Sequence, residues 1–152
     1  MSNPIIIYTD GSARGNPGPG GYGAVMISGP YRKELSQGYV LTTNNRMELL
    51  GAIVALETIK LPNSQVTLYT DSKYVVDAIE KGWVFGWEKK NFSGKKNPDL
   101  WIRFLKVYHN HQVKFIWVKG HAENVENNVC DRLAVEASSR SNLLTDTGYI
   151  PG

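Results

Sequence analysis

Two strand-like runs in this chain close on the same three residues. "IYTDGS", beginning at Ile7, recurs as "LYTDSK", beginning at Leu68. Each is a β-type segment that ends on Tyr-Thr-Asp. If the two strands lie side by side and parallel, Asp10 and Asp71 leave the same sheet edge within reach of one shared ion. A sheet that is at least partly parallel is then required.

The remaining pattern supplies such a sheet. β-rich runs predict strands over about Pro4–Thr9, Gly21–Ser28 and Arg32–Leu41, joined by short turns into an antiparallel meander. From Asn44 the period becomes helical, with Met47, Leu50, Val54 and Thr58 on one face and Leu49, Ile53 and Leu56 widening it. A strand at "SQVTLYT", helices at "SKYVVDAIEKG" and "PDLWIRFLKVYHNH", a strand at "QVKFIWV" and a helix at "NNVCDRLAVEASSR" follow. The expectation is an α/β fold. Its sheet is mixed and five-stranded, three antiparallel strands then two parallel, flanked by helices. One domain covers residues 1–152, with a polar tail from about Ser141 loosely held. Ligands of such sheets gather outside the carboxyl ends of strands, and Asp10 sits at one.

The loop after Asp10 offers a different reading, which fails. Gly18, Gly20 and Gly23 fit G-x-G-x-x-G, but that fingerprint binds a dinucleotide only where it opens a helix. Pro17 and Pro19 interrupt it, and "YGAVMI" continues as a strand. The stretch is a hairpin connection. A membrane span is excluded too, since no run approaches ~18 apolar residues. The chain enters its first strand with no basic-then-apolar leader, and the single cysteine, Cys130, cannot form an internal disulfide. These features predict a reducing cytoplasm. A single domain predicts a monomer. The net charge of +3 permits a polyanionic partner without demanding one.

Each candidate carboxylate has an ordinary structural use as well. Asp71, at a strand-to-helix junction, could be an N-cap. Glu48 follows Asn45 by three residues in a capping-box-like pair and sits in a predicted first turn. Yet Gly51, Ala52 and Ala55 share its side of the helix and would let it approach the sheet edge. Asp131, placed in the first turn of the last helix, could be a surface acid favoured by the helix dipole. Four acids from four segments form a stronger pattern than any one of them. Gathered without a counterion they repel one another, and a cation is the remedy. Oxygen ligands alone select hard ions such as Mg²⁺ or Mn²⁺ over zinc.

The chain resembles the type I, bacterial-style ribonuclease H family over essentially its whole length. The resemblance rests on five motifs in the family's order: "YTDGSARGNPGPGGYG", "TTNNRMELLGAIVAL", "LYTDSKYV", "VKGHA" and "NNVCDRLA". It implies that Asp10, Glu48, Asp71 and Asp131 hold two Mg²⁺ ions, with Mn²⁺ as a possible substitute. It also implies that His121 in "VKGHA" is a mobile histidine near the scissile phosphate. The reaction implied is hydrolysis of the RNA strand in an RNA–DNA hybrid, leaving 5′-phosphate and 3′-hydroxyl ends. His109 and His111 match no motif and read as surface residues.

Substrate contacts follow partly from residue type and partly from the resemblance. Gly11, Ser12, Gly15 and Asn16 expose backbone N–H groups and sparse side chains, as close approach of a sugar-phosphate strand requires. By resemblance, Asn16, Asn44 and Asn45 contact sugars and bases across the minor groove, and Thr43 contacts a DNA phosphate. Amides and hydroxyls can pair with the 2′-OH that distinguishes RNA. In "KGWVFGWEKKNFSGKKNPDLW", Lys81, Lys89, Lys90, Lys95 and Lys96 are interleaved with Trp83, Phe85, Trp87, Phe92 and Trp101. This is either a solvated charge run over a small aromatic core or a phosphate-gripping protrusion. It aligns with the family's basic protrusion, which grips the DNA strand, and Trp83 and Trp87 could touch deoxyribose. Lys73 stands where relatives often carry glutamine. A non-catalytic hybrid-binding module, or another nuclease or strand-transfer enzyme on the same fold, are the alternatives.

Overall fold

In the computed structural model, which describes residues 4–119 and 124–150, the two Tyr-Thr-Asp strands lie side by side and parallel. They are β1 (Ile5–Ala13) and β4 (Gln65–Thr70), in register at Tyr8 with Tyr69 and Thr9 with Thr70. The remaining strands are β2 (Gly18–Ser28), β3 (Tyr31–Thr42) and β5 (Gln112–Trp117). Their order across the sheet is β3-β2-β1-β4-β5. β1, β2 and β3 pair antiparallel, and β4 pairs parallel with both β1 and β5. The expected mixed sheet is present.

β1 outlasts its parallel neighbour. Its pairing with β4 ends at Thr9, but Gly11, Ser12 and Ala13 continue against Tyr22, Gly21 and Gly20 of β2. The strand expected to stop at Thr9 therefore carries Asp10 in its interior on the β2 side. On the β4 side the same residue is free to face outward.

Among the described residues five helices cover the sheet: α1 (Asn44–Thr58), α2 (Lys73–Glu80), α3 (Trp83–Lys89), α4 (Pro98–Tyr108) and α5 (Val125–Ser138). α1 packs on β1 and β2 and also against α4, whereas α5 packs on β1, β2 and β3. The single apolar face expected of α1 is a partial description. With a sheet on one side and a helix on the other, α1 buries Met47, Leu49, Leu50, Ile53 and Leu56 around most of its circumference. α3 escapes periodicity because it is short and broken by Gly86, and Gly82 opens it at a φ of 76°. α5 starts two residues before the expected "NNVC", because Asn124 caps it by accepting from the Asn127 N–H.

One apolar core joins Ile7, Leu49, Ile53, Leu68, Val75, Trp101, Phe104 and Phe115 across β1, α1, β4, α2, α4 and β5. Trp101 is fully buried, and its indole N–H donates to the Tyr74 hydroxyl at 2.9 Å. The tail expected to be loosely held is docked instead. Leu144 donates to Gly38 and accepts from Val40 on the edge of β3. Asp146 accepts from Thr42 and Arg46, which gives a polar segment a partner for each buried group.

Candidate active site

The acids are freed for other work because neighbours do the capping. Thr43, not Asn45, caps α1 by accepting from the Arg46 N–H, which places Glu48 beyond the first turn. Ser72, not Asp71, caps α2 by accepting from the Val75 N–H. Asn124 caps α5, so Asp131 lies in its second turn and not in the first as expected. None of the four carboxylates serves as an N-cap.

Asp10, Glu48 and Asp71 converge. Each offers an oxygen to a group whose members lie within 4.8 Å of one another. Small residues make the approach possible. A Cβ on Gly11 would overlap the backbone of Met47, and one on Gly51 would sit 3.7 Å from the Asp10 carbonyl oxygen. The helix therefore lies directly on the strand that carries Asp10. Asp131 stands outside the group of three but beside Asp10, whose proton affinity it raises.

Burial and like charge act together here. Asp10 is 8% exposed and Glu48 9%. Burial first, then the adjacent Asp71 carboxylate, pushes the Asp10 carboxyl up to about 7. Burial first, then Asp10 and Asp71, holds the Glu48 carboxyl well above the usual range. The Asp10 Oδ1 accepts from the Gly11 N–H at 2.9 Å. The Glu48 Oε1, in contrast, is buried with no hydrogen-bond partner among the described residues. A buried, unpartnered carboxylate oxygen among other carboxylates fits a hard divalent cation better than any protein group.

The substrate candidates fall into two adjoining clefts. One, of about 570 Å³, is lined by Asn16, Thr43, Asn45, Lys95, Lys96 and Tyr149. The other, of about 460 Å³, is lined by Lys73, Trp83, Trp87, Lys95 and Lys96. Lys89 and Lys90 line neither and are exposed where α3 ends. Asn16 Oδ1 accepts from the Asn44 N–H, and Asn44 Oδ1 accepts from the Ala13 N–H, which ties the hairpin to the start of α1. Gly11 differs from expectation: it is buried against α1, and its N–H is held by Asp10 instead of being exposed. His121 lies outside the described residues. His111 is a loop residue whose Nδ1 accepts from the Ser64 N–H.

The aromatic-basic segment has the small aromatic core that one of its two readings expects. Trp87 packs edge-on to the buried Trp101 and Phe92 is buried, so a small aromatic core exists. Lys95 and Lys81 lie over the rings of Trp87 and Trp83 at 5.3 and 5.1 Å, and of the two lysines Lys95 lines the second cleft. Asn97 and Tyr149 are among the lining residues that were not foreseen. Asn97 sits in the quoted basic run, but Tyr149 belongs to a tail whose docking no local pattern announces. A cavity of about 880 Å³, mostly apolar, lies at the opposite end of the sheet, by Ile5, Ile59 and Leu61. Among the described residues no helix is long and apolar enough to cross a membrane.

Comparison with known proteins agrees with this architecture. The RNase H family model matches residues 2–139. A ribonuclease H of Trichodesmium erythraeum is 54% identical over 150 residues, covering 95% of each chain. A ribonuclease HI of Synechocystis sp. is 53% identical over 153 residues, covering 97% of this chain and 95% of that one. The crystal structure of LC9-RNase H1, a type 1 RNase H with the type 2 active-site motif, superposes with a TM-score of 0.82. It is 30% identical, over 91% of this chain and 73% of that one. LC11-RNase H1, solved in complex with RNA/DNA hybrid, gives a TM-score of 0.66 at 31% identity, over 88% and 95% of the two chains. The fold and the matches define a metal-dependent nuclease class. The chain belongs to the ribonuclease H family, in its type I bacterial branch, and is an enzyme of that kind.

Proposed function

We propose that the protein is an endonuclease that hydrolyses the RNA strand of RNA–DNA hybrids with two bound Mg²⁺ ions, which Mn²⁺ can replace. The products carry 5′-phosphate and 3′-hydroxyl ends. The observation that carries this reading is the trio Asp10, Glu48 and Asp71 within 4.8 Å, with one Glu48 oxygen left without a partner.

Asp10, Glu48 and Asp71 would hold one ion, and Asp10 with Asp131 the other. Asp10 would serve in both sets, since Asp71 and Asp131 each raise its proton affinity. When bound, the ions acidify the attacking water and stabilise charge on the departing 3′ oxygen. The Gly11 N–H fixes one Asp10 oxygen, and α1, resting on Gly11, fixes the depth of Glu48. His121 is assigned to assist the attacking water or product departure.

Substrate recognition is assigned to the rim. Asn16 and Asn44 use their oxygens within the protein, which leaves their amide donors for a 2′-OH. Asn45 is exposed beside them. The Thr43 oxygen accepts from Arg46, leaving its proton for a phosphate. Lys73, Lys89, Lys90, Lys95 and Lys96 contribute salt-sensitive attraction, and Trp83 and Trp87 give deoxyribose an apolar surface. The unpaired, buried Cys130 accords with a reducing cytoplasm, and a monomer is the working state.

A duplex panel tests the reading. Labelled RNA–DNA, RNA–RNA and DNA–DNA duplexes are incubated with Mg²⁺ or with a chelator. Cutting confined to the RNA of the hybrid, and dependent on metal, is expected. Equal cutting of the other duplexes, or cutting in chelator, would overturn it.

A further inference from the structure

The β4–β5 ladder ends in an unusual way. Its last backbone bond runs from the Val118 N–H to the Thr70 carbonyl at 2.9 Å. The next carbonyl, that of Asp71, is taken by a side chain: the Trp117 indole N–H donates to it at 3.0 Å. Trp117 pairs with Thr70 in register, so its ring reaches forward along β4 to the residue that carries the carboxylate. The ring is 42% exposed, and the ammonium of Lys73 sits 4.7 Å from its centroid. Lys73 also lines the cleft shared by Trp83, Trp87, Lys95 and Lys96.

We propose that Trp117 is a positioning residue with two separable actions. Its N–H fixes the Asp71–Ser72 peptide, and hence the direction in which the Asp71 carboxylate enters the cluster. Its π-face holds the Lys73 ammonium at the edge of the phosphate-binding cleft. The Asp71–Ser72 peptide is gripped on both edges: its N–H donates to the Thr70 hydroxyl at 3.1 Å, and its carbonyl accepts from the indole. Thr70 is held by the ladder, and the Ser72 side chain is committed to capping α2. The Thr70 hydroxyl fixes one edge of the peptide plane and Trp117 fixes the other, and the carboxylate is oriented with it. Partners that orient a metal ligand typically change metal affinity by about 10–100-fold when removed. A partner that acts through the main chain falls at or below the low end of that range.

The inference rests on the reading of Asp71 as a metal ligand, and the experiment separates the two. Mg²⁺ is titrated into the substrate-free protein while the rise in melting temperature is followed. Trp117→Phe removes the N–H and keeps a ring for Lys73. It should raise the Mg²⁺ concentration at half-maximal shift about three- to tenfold. KM for the hybrid at saturating Mg²⁺ should stay in place. Trp117→Leu removes the ring too and should add a rise in KM of about two- to fivefold, of the size an exposed cation–π contact gives. Benzothienylalanine at position 117, which exchanges only the N–H for sulfur, repeats the first test without disturbing packing and decides it if Trp117→Phe folds poorly. A purely structural role would lower the metal-free melting temperature and leave the Mg²⁺ midpoint unmoved, which overturns the inference. Asp71→Asn is the control. If it leaves the Mg²⁺ response intact, the reading of Asp71 as a ligand fails. If it abolishes the response while both indole variants match the wild type, only the role of Trp117 fails.

Discussion

Arg46 and Glu48 stand two residues apart on α1, and both are buried, yet one is surrounded by partners and the other by its own sign. The Arg46 guanidinium, 1% exposed, spends its donors on Asp99 at 2.7 and 2.9 Å and on Asp146 at 2.7 and 2.8 Å. Thr42 adds a donor to Asp146. Glu48 faces Asp10 and Asp71, with an oxygen that nothing described satisfies. The first cluster is closed. It joins α1, α4 and the tail, and it needs no ligand. The second is open and acquires its balancing charge only from outside. Buried charge therefore points to function where partners of opposite sign are missing, and to architecture where they are complete.

The sharpest way to break this contrast is to remove one acid from the open cluster. Asp10→Asn should lower hybrid cleavage at least about a thousandfold, since several kcal/mol of transition-state stabilisation depend on the metals it helps to hold. The same substitution should raise the melting temperature in chelator by relieving repulsion, and calorimetry checks it. A lower metal-free melting temperature would remove the claim of stored repulsion.

Removing the cation from the closed cluster should do the reverse. Arg46→Met leaves Asp99 and Asp146 without their partner and should cost about 3–5 kcal/mol of stability, measured by urea unfolding with and without metal. A loss near zero would mean that the closed cluster is no more settled than the open one.

The two clusters should also answer pH with opposite signs in metal-free protein. The Asp10 carboxyl sits at about 7, above its unfolded value, so ionising it destabilises the fold. Its contribution worsens as pH rises from about 4 to about 7, then levels off. Partial burial alone would raise the Asp99 carboxyl, but Arg46 outweighs burial and holds it below its usual range. The stability Asp99 provides is present above its unfolded pKa and lost as pH falls through the folded one. Asp10→Asn should therefore flatten the loss toward neutral pH, and Asp99→Asn the loss in acid. Thermal melts in chelator from pH 3 to 8, about a unit apart, read both trends.

The smallest effect belongs to charge with no fixed partner. Lys95→Ala and Lys96→Ala should each reduce the slope of log affinity against log salt by about one. Filter binding of the hybrid in Ca²⁺ measures it, and no change would remove that lysine from the phosphate contacts.

Much of the open cluster was legible because its signals are local. The repeated Tyr-Thr-Asp marked where the parallel pairing of β1 with β4 ends, and the small residues near Glu48 marked a helix that could come close. What misled were end effects. Asn45 and Asp71 suggested caps that Thr43 and Ser72 provide, and the last helix, expected from Asn127, starts at Val125 because Asn124 caps it. Cap choice depends on backbone angles at one residue, and several neighbours were chemically suited. The short α3 was hidden for a related reason, since seven residues around a glycine carry too little periodicity.

The sequence by itself determined the element order apart from α3, the mixed sheet and the candidate acids, because hydrophobic period and residue type are properties of neighbours along the chain. Only the tertiary structure decided that Arg46 closes onto Asp99 and Asp146, that Trp117 holds Asp71, and that the tail is part of the fold. Those contacts join residues at least 46 positions apart along the chain, a distance over which no local period carries a signal.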